Sequence, residues 1–227
     1  LQADSISKGV DTVMKAVDCK MFMANYVVDY LTNLLKNREI VNNTEAYKKF
    51  VQSYLLNDKC KVLDAKQKTT YKEEIANLSL LSLKDTCVNM ILKDTSNKLQ
   101  NLQEFAKQFS FTVIIFYDPT CEHCKVELPI MDSTLNLLYA KYNIKIGRYA
   151  VCNEPNMPLP VWKDFINKYS LTNNYVHVNL GNNVEIRKSY DAFTNPIFYL
   201  IDNNGILMGK KLSPQTVRNM ILANYIK

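Results

Sequence analysis

The sequence predicts a two-part chain: a helical unit over residues 1–83, then an α/β unit over 84–227 whose mixed sheet is flanked by helices. Three observations carry this reading. Apolar residues in the first 80 positions recur at spacings of three and four, the period of one helix face. From about residue 99, helix-period stretches alternate with apolar runs of strand length, the order that builds α/β folds. Five glycines and seven prolines in 227 residues leave few tight turns and favour long helices with few connections.

Taken in order, Val10, Met14, Val17, Met21, Ala24, Val28, Leu31 and Leu35 form one apolar stripe, enough for one long helix or two with a break. Core packing explains the stripe better than a coiled-coil seam, whose sign is sustained heptads with ordered flanking charges. A second helix starts at Asn43 or Thr44, either a suitable N-cap, with Tyr47, Phe50, Val51, Tyr54 and Leu55 on its apolar face. A third runs over about 66–80. The texture changes after Leu83, with no Gly/Ser-rich linker. Val88 to Leu92 begins to alternate and then meets the polar turn cluster Lys93 to Asn97. Leu99 to Phe109 has helical period. Phe111 to Tyr117 reads as a buried strand, Glu122 to Tyr142 as a helix containing Pro129, Ile144 to Val151 as a strand, and Val161 to Tyr169 and Val184 to Tyr190 as helices. Ile197 to Ile201 and Ile206 to Gly209, joined by Asp202-Asn203-Asn204-Gly205, form a hairpin. Ser213 caps a closing helix with Pro214 at its first position.

Composition excludes several classes. Hydrophobic residues are 47% and charged residues 22%, so the chain is neither disordered nor low-complexity. The net charge of +6 comes from 28 basic and 22 acidic residues, with no run of like charge that would mark a nucleic-acid arm. No apolar stretch approaches the ~18 residues of a membrane helix. The chain begins at Leu1, which suggests a removed leader or a shortened chain.

Chemistry concentrates in Asp118-Pro119-Thr120-Cys121-Glu122-His123-Cys124, directly after the buried strand and at the start of the long helix. A C-x-x-C at such a junction places its first sulfur at a helix N-terminus, where unpaired amides and the helix dipole favour a thiolate. Thiolates carry thiol–disulfide exchange. Cys121 is therefore the expected nucleophile and Cys124, one turn in, the resolving thiol. Between them, a protonated His123 would stabilise the Cys121 thiolate and Glu122 would oppose it. Glu127 lies three residues past Cys124, on one helix face with it. Spacing alone favours an ordinary solvated glutamate there, although a half-buried one could exchange a proton with Cys124. Pro129 removes one helical hydrogen bond. Pro196 opens the strand Ile197 to Ile201, as a residue that cannot donate to the ladder should, and base frequency favours a trans bond before it.

The string Phe116-Tyr117-Asp118-Pro119-Thr120-Cys121-Glu122-His123-Cys124-Lys125-Val126-Glu127-Leu128-Pro129, with the proline-led strand ending Tyr199-Leu200-Ile201-Asp202-Asn203-Asn204-Gly205, resembles the TlpA/ResA-like branch of thioredoxin-fold thiol–disulfide oxidoreductases over residues 84–227. Trp162 to Tyr190 resembles Bacteroidota members that carry a helical N-terminal domain of unknown function. The resemblance implies Cys121 as nucleophile, Cys124 as resolving thiol, Glu127 as a functional glutamate, Pro196 as the cis-proline facing the disulfide, and Pro129 as the helix-kinking proline. It implies no metal and no cofactor beyond a redox-active Cys121–Cys124 disulfide. Protein thiols and disulfides are the implied substrates, with an upstream redox partner, an exported location in the periplasm or envelope of a Gram-negative bacterium, and a membrane tether upstream of Leu1. The chain departs from the family at Asn195, often Thr, and at Thr120, often Trp. His123 resembles the spacer of the oxidant DsbA while the rest resembles reductants, so the direction of electron flow stays open.

Cys152 follows a strand at the end of the sheet where function usually lies. A third redox cysteine or a zinc ligand with Cys121, His123 and Cys124 is conceivable, but a small buried hydrophobe is the simpler reading. Cys19 and Cys60 could pair in an exported protein, the four cysteines outside the motif allow three connectivities between which the sequence does not choose, and Cys87 has no assignable role. His177 reads as a structural or surface residue rather than a catalytic base. Two other functions compete: a non-catalytic binding or assembly protein that uses the helical unit as partner surface, and a peroxide reductase, whose usual lone cysteine pocket this motif does not resemble.

Overall fold

The apolar stripe of the first third is divided between two helices, α1 (Ala3–Ala16) and α2 (Met23–Leu35). The computed structural model describes residues 3–17, 23–36, 43–57, 63–78 and 81–225. Met21, Cys19 and Cys60 lie outside these, as does the end of the third predicted helix. Val10 and Met14 of α1 and Val28, Leu31 and Leu35 of α2 are buried together with Tyr47, Phe50, Val51 and Leu55. The last four belong to α3 (Asn43–Phe50) and the π-helical turn Val51–Leu55 that continues it. The fourth helix, α4 (Ala65–Leu78), is opened by a reciprocal cap. Asp64 Oδ1 accepts from the Gln67 amide at 2.7 Å, and Gln67 Oε1 accepts from the Asp64 amide at 2.9 Å, satisfying two amides that the first helical turn leaves free.

The chain divides into two compact units, 1–80 and 81–227, three residues before the change of texture in the sequence. Leu81 is buried with the sheet and Leu83 packs against the same cluster.

The second unit is built on a seven-stranded sheet in the order β2-β1-β5-β4-β3-β6-β7. Its strands are β1 (Ile91–Asp94), β2 (Leu99–Asn101), β3 (Phe111–Tyr117), β4 (Ile146–Cys152), β5 (Tyr175–Asn179), β6 (Ile197–Asp202) and β7 (Leu207–Gly209). The three central strands β3, β4 and β5 run parallel, and β6, β7, β1 and β2 are antiparallel to their neighbours. Every residue of β3 and β4 is buried, as expected of central strands covered on both faces. Side chains alternate between the faces. Val113, Ile115, Tyr117, Ala150 and Cys152 pack with α6 (Glu122–Tyr142), α7 (Leu159–Lys168) and α9 (Pro214–Tyr225). Ile114, Phe116, Tyr149 and Val151 pack with α5 (Leu102–Ala106) and α8 (Val184–Ser189).

Two sequence expectations change. Leu99 to Phe109 is not one helix: its first three residues pair with β1 as β2, and Asn101 then caps α5 by accepting from the Gln103 and Glu104 amides. The strand β5 has no counterpart among the predicted elements. Elsewhere α6 spans the predicted range, with Pro129 inside it, and ends at Asn143, whose left-handed φ of 56° lets its amide reach Tyr139 O at 2.8 Å.

Candidate active site

The site forms where β3 ends and α6 begins. Asp118 Oδ1 accepts from both the amide and the hydroxyl of Thr120 at 2.8 Å, and Asp118 O accepts from the Cys121 amide at 3.1 Å. This turn brings Cys121 to the N-cap of α6 with extended backbone, φ −74° and ψ 123°, and with no side-chain capping bond. Its sulfur is part-buried and lies 3.6 Å from the Asn195 carbonyl oxygen, toward which the thiol points as donor.

Cys124 sits one turn further on and is fully buried. Its sulfur accepts from the Asp118 amide at 3.4 Å. Burial pushes this thiol well above the ordinary cysteine range, with the Asp118 amide acting the other way and Cys121 adding to the rise. Cys87, Cys121, Cys124 and Cys152 are all free thiols, so the geometry is that of the dithiol form.

Opposite Cys121 stands the loop that leads into β6. The Asn195–Pro196 peptide bond is cis, as the family resemblance implied and base frequency did not. Pro196 is buried and Asn195 half-buried. Glu127 is half-buried on α6, one turn beyond Cys124. Glu122 and His123 are exposed. Glu122 Oε1 meets Lys125 Nζ at 2.6 Å, and that bond holds its carboxyl below the usual range. The negative charge expected to oppose a Cys121 thiolate is thus already paired along the helix surface.

Asn153, directly after Cys152, is a site residue that sequence reasoning missed. Its amide donates to Tyr117 O at 2.7 Å. Its Nδ2 donates to Ala192 O at 2.8 Å and to Asn195 Oδ1 at 3.1 Å. A polar residue at the carboxyl end of a buried parallel strand was the available signal. The Asn195 side chain, where the chain departs from the family's usual Thr, is engaged inward by this bond.

Beneath the site lies a buried polar chain. Trp162 Nε1 donates to the Tyr117 hydroxyl at 2.6 Å, which lies 2.8 Å from His177 Nδ1, and His177 Nε2 lies 2.7 Å from Leu171 O. A carbonyl only accepts, so Nε2 carries the proton and Nδ1 accepts from Tyr117. Burial lowers the His177 pKa to about 4, which fits a neutral structural ring. Cys152 is fully buried and burial pushes its thiol up to about 12. Among the described residues, no group of three or more His, Cys, Asp or Glu side chains is gathered as a metal ion would require.

The sequence matches no family model and no curated protein relative. Solved structures do match. A thioredoxin-like protein from Bacteroides caccae is 16% identical with a TM-score of 0.66, over 97% of this chain and 76% of its own. A domain of a possible thiol-disulfide isomerase from Cytophaga hutchinsonii is 23% identical with a TM-score of 0.54, over 64% of this chain and 95% of its own. The second unit has a thioredoxin-like fold. The thioredoxin domain of a thiol-disulfide oxidoreductase from Bacteroides vulgatus matches over 65% of this chain and 99% of its own, at 19% identity and a TM-score of 0.53. Within this thioredoxin-like unit, Cys121, Cys124 and the Asn195–Pro196 bond come together at the carboxyl end of β3, whereas Glu122 and His123 face solvent.

Proposed function

We propose that the protein is a thiol–disulfide oxidoreductase that exchanges disulfides with protein substrates. One observation carries this: a part-buried Cys121 sulfur at the N-terminus of a 21-residue helix, 3.6 Å from the carbonyl before a cis-proline, with a fully buried Cys124 one turn behind it. The names of the matching Cytophaga and Bacteroides structures support the same reading.

In the reducing direction the Cys121 thiolate attacks one sulfur of a substrate disulfide. A Cys121–substrate disulfide forms and the other substrate sulfur leaves as a thiolate. Cys124 then loses its proton and attacks the Cys121 sulfur, forming the Cys121–Cys124 disulfide and releasing the second substrate thiolate. Two electrons pass to the substrate. The redox-active pair is the only cofactor required, and an upstream dithiol or disulfide partner resets it. Burial keeps Cys124 protonated until attack, and Glu127, half-buried on the same helix face, is the group we assign to take that proton. The reverse sequence oxidises substrates.

An exported location, in the periplasm or envelope of a Gram-negative bacterium, suits a pair that cycles through a disulfide. No helix among the described residues is long and apolar enough to cross a membrane, and a tether before Leu1 belongs to the same proposal.

Reduction of insulin disulfides tests the activity: wild-type protein should catalyse it and Cys121→Ser should abolish it, while turnover retained by Cys121→Ser would refute the assignment. Equilibration with glutathione sets the direction. A potential near −270 mV marks a reductant and one near −120 mV an oxidant.

A further inference from the structure

We infer that Asn153 is a positioning residue for disulfide exchange: its side-chain amide holds the loop before Pro196 so that the Asn195 carbonyl stays facing Cys121. This rests on the thiol–disulfide reading above.

Asn153 is itself fixed from two sides. Its backbone amide is bound to the end of β3 at Tyr117 O, 2.7 Å away, and its carbonyl accepts from Arg187 Nη2 of α8 at 2.9 Å. The residue is buried, only 7% exposed. A carboxamide nitrogen carries two hydrogens. Both are spent on one short loop, at Ala192 O (2.8 Å) and Asn195 Oδ1 (3.1 Å). The Ala192 carbonyl also fixes which end of the Asn153 amide is which, because a carbonyl oxygen only accepts.

The other end of the same amide shows what the residue is kept for. Asn153 Oδ1 is buried and has no hydrogen-bond partner among the described residues. An unpaired buried acceptor is unfavourable, and fully satisfied native cores avoid it. A local rule broken for the sake of two donors aimed at one loop is what a functional site shows. That loop is otherwise irregular: it leaves α8 through Asp191 at φ +46° and reaches β6 only at Ile197. Cys121 meets it at the Asn195 carbonyl. The Asn195 side chain is turned to Asn153, so what the loop presents toward Cys121 is backbone.

The test compares wild type, Asn153→Ala, Asn195→Ala and the double variant in insulin reduction, with the small aromatic disulfide DTNB as a second substrate. Circular dichroism confirms folding. For Asn153→Ala the expected result is a KM for insulin raised roughly two- to tenfold, the worth of one neutral hydrogen bond. Its kcat and its rate with DTNB should change less than its KM for insulin. Asn195→Ala should raise KM in the same direction, and the double variant should be no worse than Asn153→Ala. Equal losses with insulin and DTNB, or additive effects in the double variant, would overturn the inference. If Asn153→Ala does not fold, an unchanged KM in Asn195→Ala overturns it alone. Wild-type protein inactive on both substrates would instead remove the oxidoreductase reading itself.

Discussion

Buried as a neutral imidazole, His177 couples folding to pH. Its pKa is lowered from 6.5 to about 4 in the folded state, so the unfolded chain binds the proton more readily. The stability it contributes is full above pH 6.5 and is lost as pH falls from there through about 4, to the extent of about 3 kcal/mol. Urea unfolding of wild type and His177→Gln at pH 7 and pH 4 should show a smaller loss on acidification in the variant; parallel losses would assign the pH dependence elsewhere. Cys124 permits a second prediction. With Cys124→Ser, the first exchange step proceeds and the second cannot, so Cys121–substrate adducts should accumulate and appear on non-reducing gels. If none forms, Cys124 is not the resolving thiol. At this scale the sequence exposed the chemistry well, because Cys121 and Cys124 are close in the chain and follow an unmistakable strand. Asn153 stayed hidden because its partner Asn195 lies 42 positions away, and neither residue signals the other. His177 reads as structural or surface from the sequence, and the bonds to Tyr117 and Leu171 that place it in the interior depend on the tertiary fold.

Among the elements, β4 and α1 make opposite use of glycine. A Cβ on Gly147 would lie 2.5 Å from Phe109 Cδ2 and 2.8 Å from Cε1 of Phe105 in α5. Gly147→Ala should therefore lower stability by about 1–3 kcal/mol through overpacking. Gly9, in the middle of α1, has nothing within 4 Å of the same position, so Gly9→Ala should raise helix stability by about 1 kcal/mol. Thermal melts of the two variants should move in opposite directions. The elements the sequence revealed are those whose own period suffices: α1 and α2 by their stripe, β3 by its unbroken apolar run, α9 by Ser213 and Pro214. The two misread places lack that. Leu99, Leu102, Ala106 and Phe109 keep a helical spacing across a boundary that only the pairing of β2 with β1 creates. In β5, Tyr175-Val176-His177-Val178-Asn179 puts a histidine on a buried face, which becomes tolerable only once Tyr117 and Leu171 supply its partners.

Over the whole molecule, each unit carries a core of its own: one cluster within the helices of the first, and one on each face of the sheet in the second. Residues 81–227 produced alone should thus unfold in a single cooperative transition and keep the DTNB reactivity of Cys121. A molten circular dichroism profile would show that the sheet unit depends on the helices. How this unit closes also bears on its birth. The segment that enters it is bound to the far edge of the sheet: Lys84 donates to Leu207 O, Leu207 to Asp85 O, and Cys87 to Gly205 O, at 2.8–2.9 Å. Its first residues therefore wait for some of its last, more than a hundred positions later. During synthesis the helical unit can settle early, while the sheet unit stays open at that edge until its C-terminal hairpin has left the ribosome. Its rate of completion should be governed by this long loop closure, and the emerging cysteines spend that interval exposed to whatever thiols surround them.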